Sequence, residues 1–362
     1  MIQGNGSTIR RASSAPQFRI VAVESTGDLT LQDTTLSGGA AAGDGARPGG
    51  GVFNDDALTL INSTVSGNSA GTYGGGVSNT GTLTLTNSTV SGNSARYGGG
   101  VLSAGTLTLT NSTVSGNSAF GDGGGVFTSG TLTLDQSLVS GNSASSQGPE
   151  VFNSVFQTFP GTVITNGFNP FGYDGSAGVT GFTPGMTDIV PAVPLSAILD
   201  PTLADNGGPT RTHALVIGSQ AIDAIPAASC ATIADQRSVT RPRDGDEDTL
   251  ADCDIGAFEL QLPSPPPPPL PPPPPPAAAT AADQDPRVQC VGFDCRVLIK
   301  CDAVQGSTEP CNTRVDVFIR TSALRLGEDG AAKARRRIRF AGAVTNIPPG
   351  GTTNLRLTLT RR

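Results

Sequence analysis

Few residues in this chain have the types and spacing that chemistry requires. Asp55 and Asp56 are paired carboxylates, the kind of group that general acid–base work on a glycosidic bond needs. Both fall at a turn, where solvation is the simpler role, and between residues 57 and 121 the only charged side chain is Arg96. The sole histidine, His213, has no Cys or Ser partner nearby in sequence, so a structural hydrogen bond is expected of it rather than catalysis. No residue is assigned a catalytic role. The string DGDEDTLADCD (244–254) places Asp244, Asp246, Asp248 and Asp252 at positions 1, 3, 5 and 9 of a Ca²⁺ loop. Thr249 stands where that loop wants Gly, and Ile255 where it wants a bidentate Glu, so a solvated acidic loop competes with Ca²⁺, the one candidate cofactor. Lys333, Arg335, Arg336, Arg337 and Arg339 form a basic set suited to anionic envelope polymers, or to guarding a strand edge. Aromatic residues do not interleave with it, which argues against nucleic acid.

The elements that must position these groups are repeats. NSTVSGNSA starts at Asn62, Asn87 and Asn111, and the variant QSLVSGNSA at Gln136, at spacings of 25, 24 and 25 residues. A looser copy, GDLTLQDTTLSGG, spans residues 27–39. A fixed period of this size signals a solenoid. In GTLTLTNSTVSG the apolar residues alternate with Thr, as in a strand with one buried face.

Stacking the copies produces columns. Leu29, Leu58, Leu83, Leu107 and Leu132 form one, and Leu31, Leu60, Leu85, Leu109 and Leu134 the next. Leu36 leads Val65, Val90, Val114 and Val139, and Val23 leads Val52, Val77, Val101 and Val126. Three short strands per coil account for the period. Asn68, Asn93, Asn117 and Asn142 each follow a Gly and are placed to bond as a ladder between coils. Gly27, Gly81, Gly105 and Gly130 mark another turn, where Asp56 substitutes and a left-handed backbone is expected.

These coils resemble the right-handed parallel β-helix repeats of bacterial surface proteins, including the polymorphic outer-membrane protein type. That resemblance implies a pectin-lyase-like fold and extracellular display, but no particular activity. Farther on, LADNGGPTRTHAL, AIDA, DQR…RP and CDIGAFE, within residues 203–259, resemble the choice-of-anchor Q domain that ends such helices. The second resemblance implies a Cys230–Cys253 disulfide. The module is expected to cap the open end of the solenoid, where unpaired strand edges invite aggregation.

The expected fold class is thus all-β: a right-handed parallel β-helix with three strands per coil of 24–25 residues, a linker and a small β-sandwich-like domain. Repeats occupy 1–165, the terminal coil and capping module 166–260, a Pro/Ala-rich linker 261–285 and a basic all-β domain 286–362. PSPPPPPLPPPPPP (263–276) forms a polyproline II rod of about 40 Å. Cys290, Cys295, Cys301 and Cys311 are expected to staple the last domain, with their pairing open. Six Cys in loop-rich regions suit an oxidising compartment. The net charge of −7 divides into −14 before residue 284 and +7 after it. No apolar run reaches the length of a membrane helix, and the N-terminus lacks the plan of a signal peptide. Because IQGNGSTIRR already reads as a coil interior, further coils and a signal peptide are expected upstream. The expected function is a non-enzymatic, secreted or surface-displayed β-helix whose Thr, Ser and Asn faces bind surface glycans. The alternative is a polysaccharide lyase or glycoside hydrolase of the same fold, with its site degenerate or in missing coils.

Overall fold

The computed structural model describes residues 1–41, 49–154 and 161–262, and beyond them the backbone of strands from Val288–Val291 to Thr352–Thr358. The chain divides into two compact units, Met1–Pro265 and Pro266–Arg362. Coils and Q-like module therefore share one unit, although a boundary at 165/166 would separate them.

The alternation in TLTLT does what its period demands. Leu83 and Leu85 point inward while Thr82, Thr84 and Thr86 point out, and the strand pairs in parallel with its copies above and below. The register sets Leu85 against Leu60 and Leu109, so the sequence columns are spatial columns. The Leu and Val columns form one continuous core, closed at its end by fully buried Phe171. Each buried Leu or Val contributes about 1.5–3 kcal/mol.

Each coil feeds three parallel sheets of eleven, seven and five strands. The largest sheet bends, so a coil carries four strand segments where the spacing predicts three: Val77–Asn79, Thr82–Thr86, Thr89–Ser91 and Ser94–Ala95 in the third copy. The bend falls on Asn62, Asn87, Asn111 and Gln136, whose φ values of 49°, 47°, 44° and 52° are left-handed. Asn tolerates that region better than most residues. At the other turn the expectation of a left-handed Gly fails: Gly81, Gly105 and Gly130 are absent from the positive-φ residues. Glycine stands there because the coils approach closely. A Cβ on Gly105 would meet the Gly81 carbonyl oxygen at 2.0 Å.

The module does not simply cap the end. The end is closed by residues 161–182, where Thr162–Thr165 and Val179–Thr180 add final rungs and Phe171 packs edge-on against Phe182. Residues 195–262 instead turn back and lie along the outer face of the Thr-Val-Ser strands. Thr64 Oγ1 donates to the Arg211 carbonyl (2.7 Å), Thr89 Oγ1 to Gln236 Oε1 (2.7 Å), and Ala257 N to Thr113 Oγ1 (3.0 Å). This explains the variant repeat. Leu138, where the other copies have Thr, packs into a second core with Ile198, Leu199, Leu215, Ile225 and Phe258. Gln136, where they have Asn, binds the Ser229 carbonyl and the Ala231 amide. Cys230 and Cys253 are joined by a disulfide inside this core, with Cα atoms 6.0 Å apart.

The second unit shows antiparallel pairings, among them Asp294–Lys300 with Thr352–Thr358 and Cys311–Val315 with Ala343–Ile347. The linker, the pairing of Cys290, Cys295, Cys301 and Cys311, and the side chains of the basic set lie outside the described residues.

Candidate functional site

The interior polar ladders fix the coil faces. Asn68 Nδ2 donates to Asn93 Oδ1 (3.0 Å), Asn93 to Asn117 (2.9 Å) and Asn117 to Asn142 (2.9 Å), the ladder expected from the repeat. Each Nδ2 also reaches a carbonyl in the preceding coil, as Asn117 does to Val90 O (2.9 Å). The ladder ends on Glu150, which the sequence reading left unassigned. Glu150 occupies the third-glycine position of its coil, and its carboxylate accepts from Asn142 Nδ2 (2.6 Å) and Gly141 N (2.9 Å). A second ladder also went unread. The amides of Ser63, Ser88 and Ser112 donate to the hydroxyls of Ser88, Ser112 and Ser137, and Ser137 N donates to Asn169 Oδ1. The signal for it was the invariant Ser after each left-handed residue.

Burial pushes the Glu150 carboxyl up to about 8, against donors from Asn142 and Gly141 that favour the anion. In the module core burial likewise pushes Glu259 up to about 8 and Asp254 up to about 7, with Arg241 opposing. Groups whose folded pKa is raised hold protons that the unfolded chain has lost, so stability falls as pH rises from the unfolded pKa through the folded one. The chain should therefore be more stable at pH 5 than at pH 8. Glu150→Gln should flatten that decline by up to about 1.4 kcal/mol per pH unit. Urea denaturation followed by circular dichroism across this range checks it; an unchanged slope would remove Glu150 as the titrating group.

The candidate catalytic and metal residues separate. Asp55 Oδ1 accepts from Thr80 Oγ1 (2.8 Å) at the coil surface. His213 is buried, and its Nδ1 lies 2.8 Å from the Asp200 carbonyl and its Nε2 2.8 Å from Ser91 Oγ. A carbonyl only accepts, so Nδ1 carries the proton and Nε2 accepts from the serine hydroxyl. Burial lowers the His213 pKa and favours this neutral ring. The histidine thus joins the module to the coils through Ser91, a contact that its sequence setting does not reveal. The acidic string folds otherwise than a Ca²⁺ loop. Asp244 and Asp246 converge with Asp223, not with Asp248 and Asp252. Asp248 Oδ1 accepts from Leu250 N and Asp252 Oδ1 from Ala227 N, so both are used in holding turns.

Two exterior surfaces of the coils stand out by their chemistry. The outer side of the Leu-x-Leu sheet presents Thr82, Thr84 and Thr86 in register with Thr106, Thr108 and Thr110, and then Thr131, Thr133 and Asp135. Beside the triple-glycine turns runs an aromatic file: Tyr73 stacks on Tyr97 (5.9 Å between centroids), Tyr97 meets Phe127 edge-on (6.1 Å), and Phe127 packs on Phe152 (5.0 Å). Arg96 lies over the Tyr97 ring, 5.4 Å from its centroid, and Tyr73 is 43% exposed. The file was legible as aromatics recurring just before, and two residues after, the triple glycines.

Among the described residues no helix is long and apolar enough to cross a membrane. No curated protein and no solved structure matches the chain. Residues 4–171 match the family described as right handed beta helix region, the same stretch that carries the parallel ladders and folds as a parallel β-helix.

Proposed function

We propose that this chain is a non-enzymatic β-helix, secreted or displayed at a cell surface, that serves as a stalk and as an adhesion surface for glycans. The observation that carries the reading is the exterior of the coils: an in-register array of Thr hydroxyls and, at a neighbouring corner, a file of aromatic rings. Hydroxyls exchange hydrogen bonds with sugars, and ring faces pack against their C–H surfaces. Neither is a proton shuttle near neutral pH. Asp135 is the one carboxylate in the last three rungs of that array, and its partners in register are Thr110 and, along its own strand, Thr133. Cleavage of a glycosidic bond needs two carboxylates, or a metal and a base, converging on one bond. The pectin-lyase-like fold and the choice-of-anchor Q identity of residues 203–259 belong to this same proposal, as does the placement outside the cell.

The test incubates purified protein with acidic and neutral polysaccharides, with and without Ca²⁺, and assays unsaturated products and new reducing ends. Binding without turnover is expected. Turnover that disappears in Asp55→Asn, Asp56→Asn or Asp135→Asn would replace this reading with a polysaccharide lyase or hydrolase.

A further inference from the structure

The docked module covers only part of the face on which it lies. On the Thr-Val-Ser strands two outward columns run side by side: Thr8, Thr35, Thr64, Thr89, Thr113 and Arg10, Ser37, Ser66, Ser91, Ser115. From the third rung on, the module engages the first column at Thr64, Thr89 and Thr113, and the second at Ser91 through His213. The first two rungs, with Ser66 of the third, are left as the floor of an open cleft of about 750 Å³. Thr8, Thr35, Ser37, Ser66 and Arg10 line one side, and the loop carrying Asp205 and Arg211 lines the other.

The chemistry of this cleft is specific. Arg10 and Arg211 stand on opposite walls, and among the described residues neither guanidinium has a hydrogen-bond or ion-pair partner. Neighbouring Arg11 is already used, donating to the Gly38 carbonyl (2.8 Å) and the Ala15 carbonyl (2.7 Å). Asp205 accepts from Gly207 N (3.1 Å) and leaves the cleft with a net single positive charge. A planar carboxylate has two oxygens and suits one guanidinium fork. Two guanidinium forks lining one cleft suit a tetrahedral group with three free oxygens, while the four hydroxyls of Thr8, Thr35, Ser37 and Ser66 suit the ring that bears it.

We propose that this cleft binds a saccharide bearing a tetrahedral anionic ester, a sulfate or phosphate monoester. The inference rests on the reading of the chain as a glycan binder and adds a site and a ligand class to it. Calorimetric titration of the full chain would use a galactose trisaccharide in four forms: 6-sulfated, 6-phosphorylated, unsubstituted, and as the trimer of galacturonate. At least one ester should bind about tenfold or more tightly than the unsubstituted sugar and the uronate, and Arg10→Gln with Arg211→Gln should erase that margin. Asp205→Asn removes a repulsive charge while keeping the acceptor for Gly207, and should tighten ester binding, a gain that a misfolded chain cannot produce. The two ester arms decide between sulfate and phosphate. Equal binding of all four sugars, or an ester margin that survives the double arginine variant, overturns the cleft assignment and leaves glycan binding elsewhere on the coils standing. Turnover of any of the sugars would overturn the non-enzymatic reading instead, without touching the assignment of the cleft.

Discussion

Leu85→Asp should leave the chain without a cooperative unfolding transition. Leu85 is fully buried, with Leu60 and Leu109 opposite it in the coils on either side. The substitution forfeits the burial of a leucine and places a carboxylate where no cation or donor can reach it. An unpaired buried charge costs several kcal/mol, a large share of the roughly 5–15 kcal/mol that holds a domain folded. Because a solenoid is stabilised by nearest-neighbour contacts, a break in the third coil uncouples the coils on both sides of it. The neighbouring change Thr84→Asp puts the same charge on the outward face and should shift stability by about 0.5 kcal/mol or less. Denaturation followed by circular dichroism separates the two. If both variants melt like the parent, the leucine columns are not the core.

Asn117→Leu should cost about 3–5 kcal/mol, although leucine is the more hydrophobic residue. The Asn117 side chain accepts from Asn93 N (3.0 Å) and Asn93 Nδ2 (2.9 Å), and donates to Val90 O and Asn142 Oδ1 (both 2.9 Å). Leucine would strand those donors and acceptors in a site that water does not reach, and each stranded group costs about 1–3 kcal/mol. Asn142 differs in that its partner is Glu150, so Asn142→Leu should also remove the side-chain donor that favours the Glu150 anion, leaving the backbone donors of residues 141 and 142. The urea midpoint of Asn117→Leu at pH 6 measures the cost; a midpoint unchanged from the parent would make the ladder incidental to stability.

Local periodicity made most of the solenoid legible. Leu-x-Leu alternation and a 24–25-residue spacing determine which side chains face inward and which coils pair, because both depend on residues within one repeat. The Asn68–Asn142 ladder followed from the same columns. What escaped depends on contacts between distant segments. Nothing near Leu138 or Gln136 says that their departure from the consensus serves a loop some ninety residues later, as the Gln136–Ser229 bond shows. The Q-like module was recognisable as a module, but its place was not, since it docks through carbonyls, a glutamine and a histidine on serine and threonine hydroxyls. Asp223 joins Asp244 and Asp246 across more than twenty residues, which loop spacing within 244–254 cannot reveal. The glycines at 81, 105 and 130 were read for backbone freedom when what they supply is the absence of a Cβ between coils.

Two outward faces of the coils are unlike: the chain's own module covers the Thr-Val-Ser face at Thr64, Thr89 and Thr113, whereas among the described residues the Leu-x-Leu face carries no such cover. Paired cysteine variants measure this directly. Thr82 is exposed on the Leu-x-Leu face, whereas Thr89, one strand on in the same coil, is fully buried beneath Gln236. In the folded protein Thr82→Cys should react with a soluble maleimide at the rate of a free thiol, and Thr89→Cys should stay unlabelled until denaturant is added. Equal labelling of the two under native conditions would show that the module does not lie on that face, and would contradict the account.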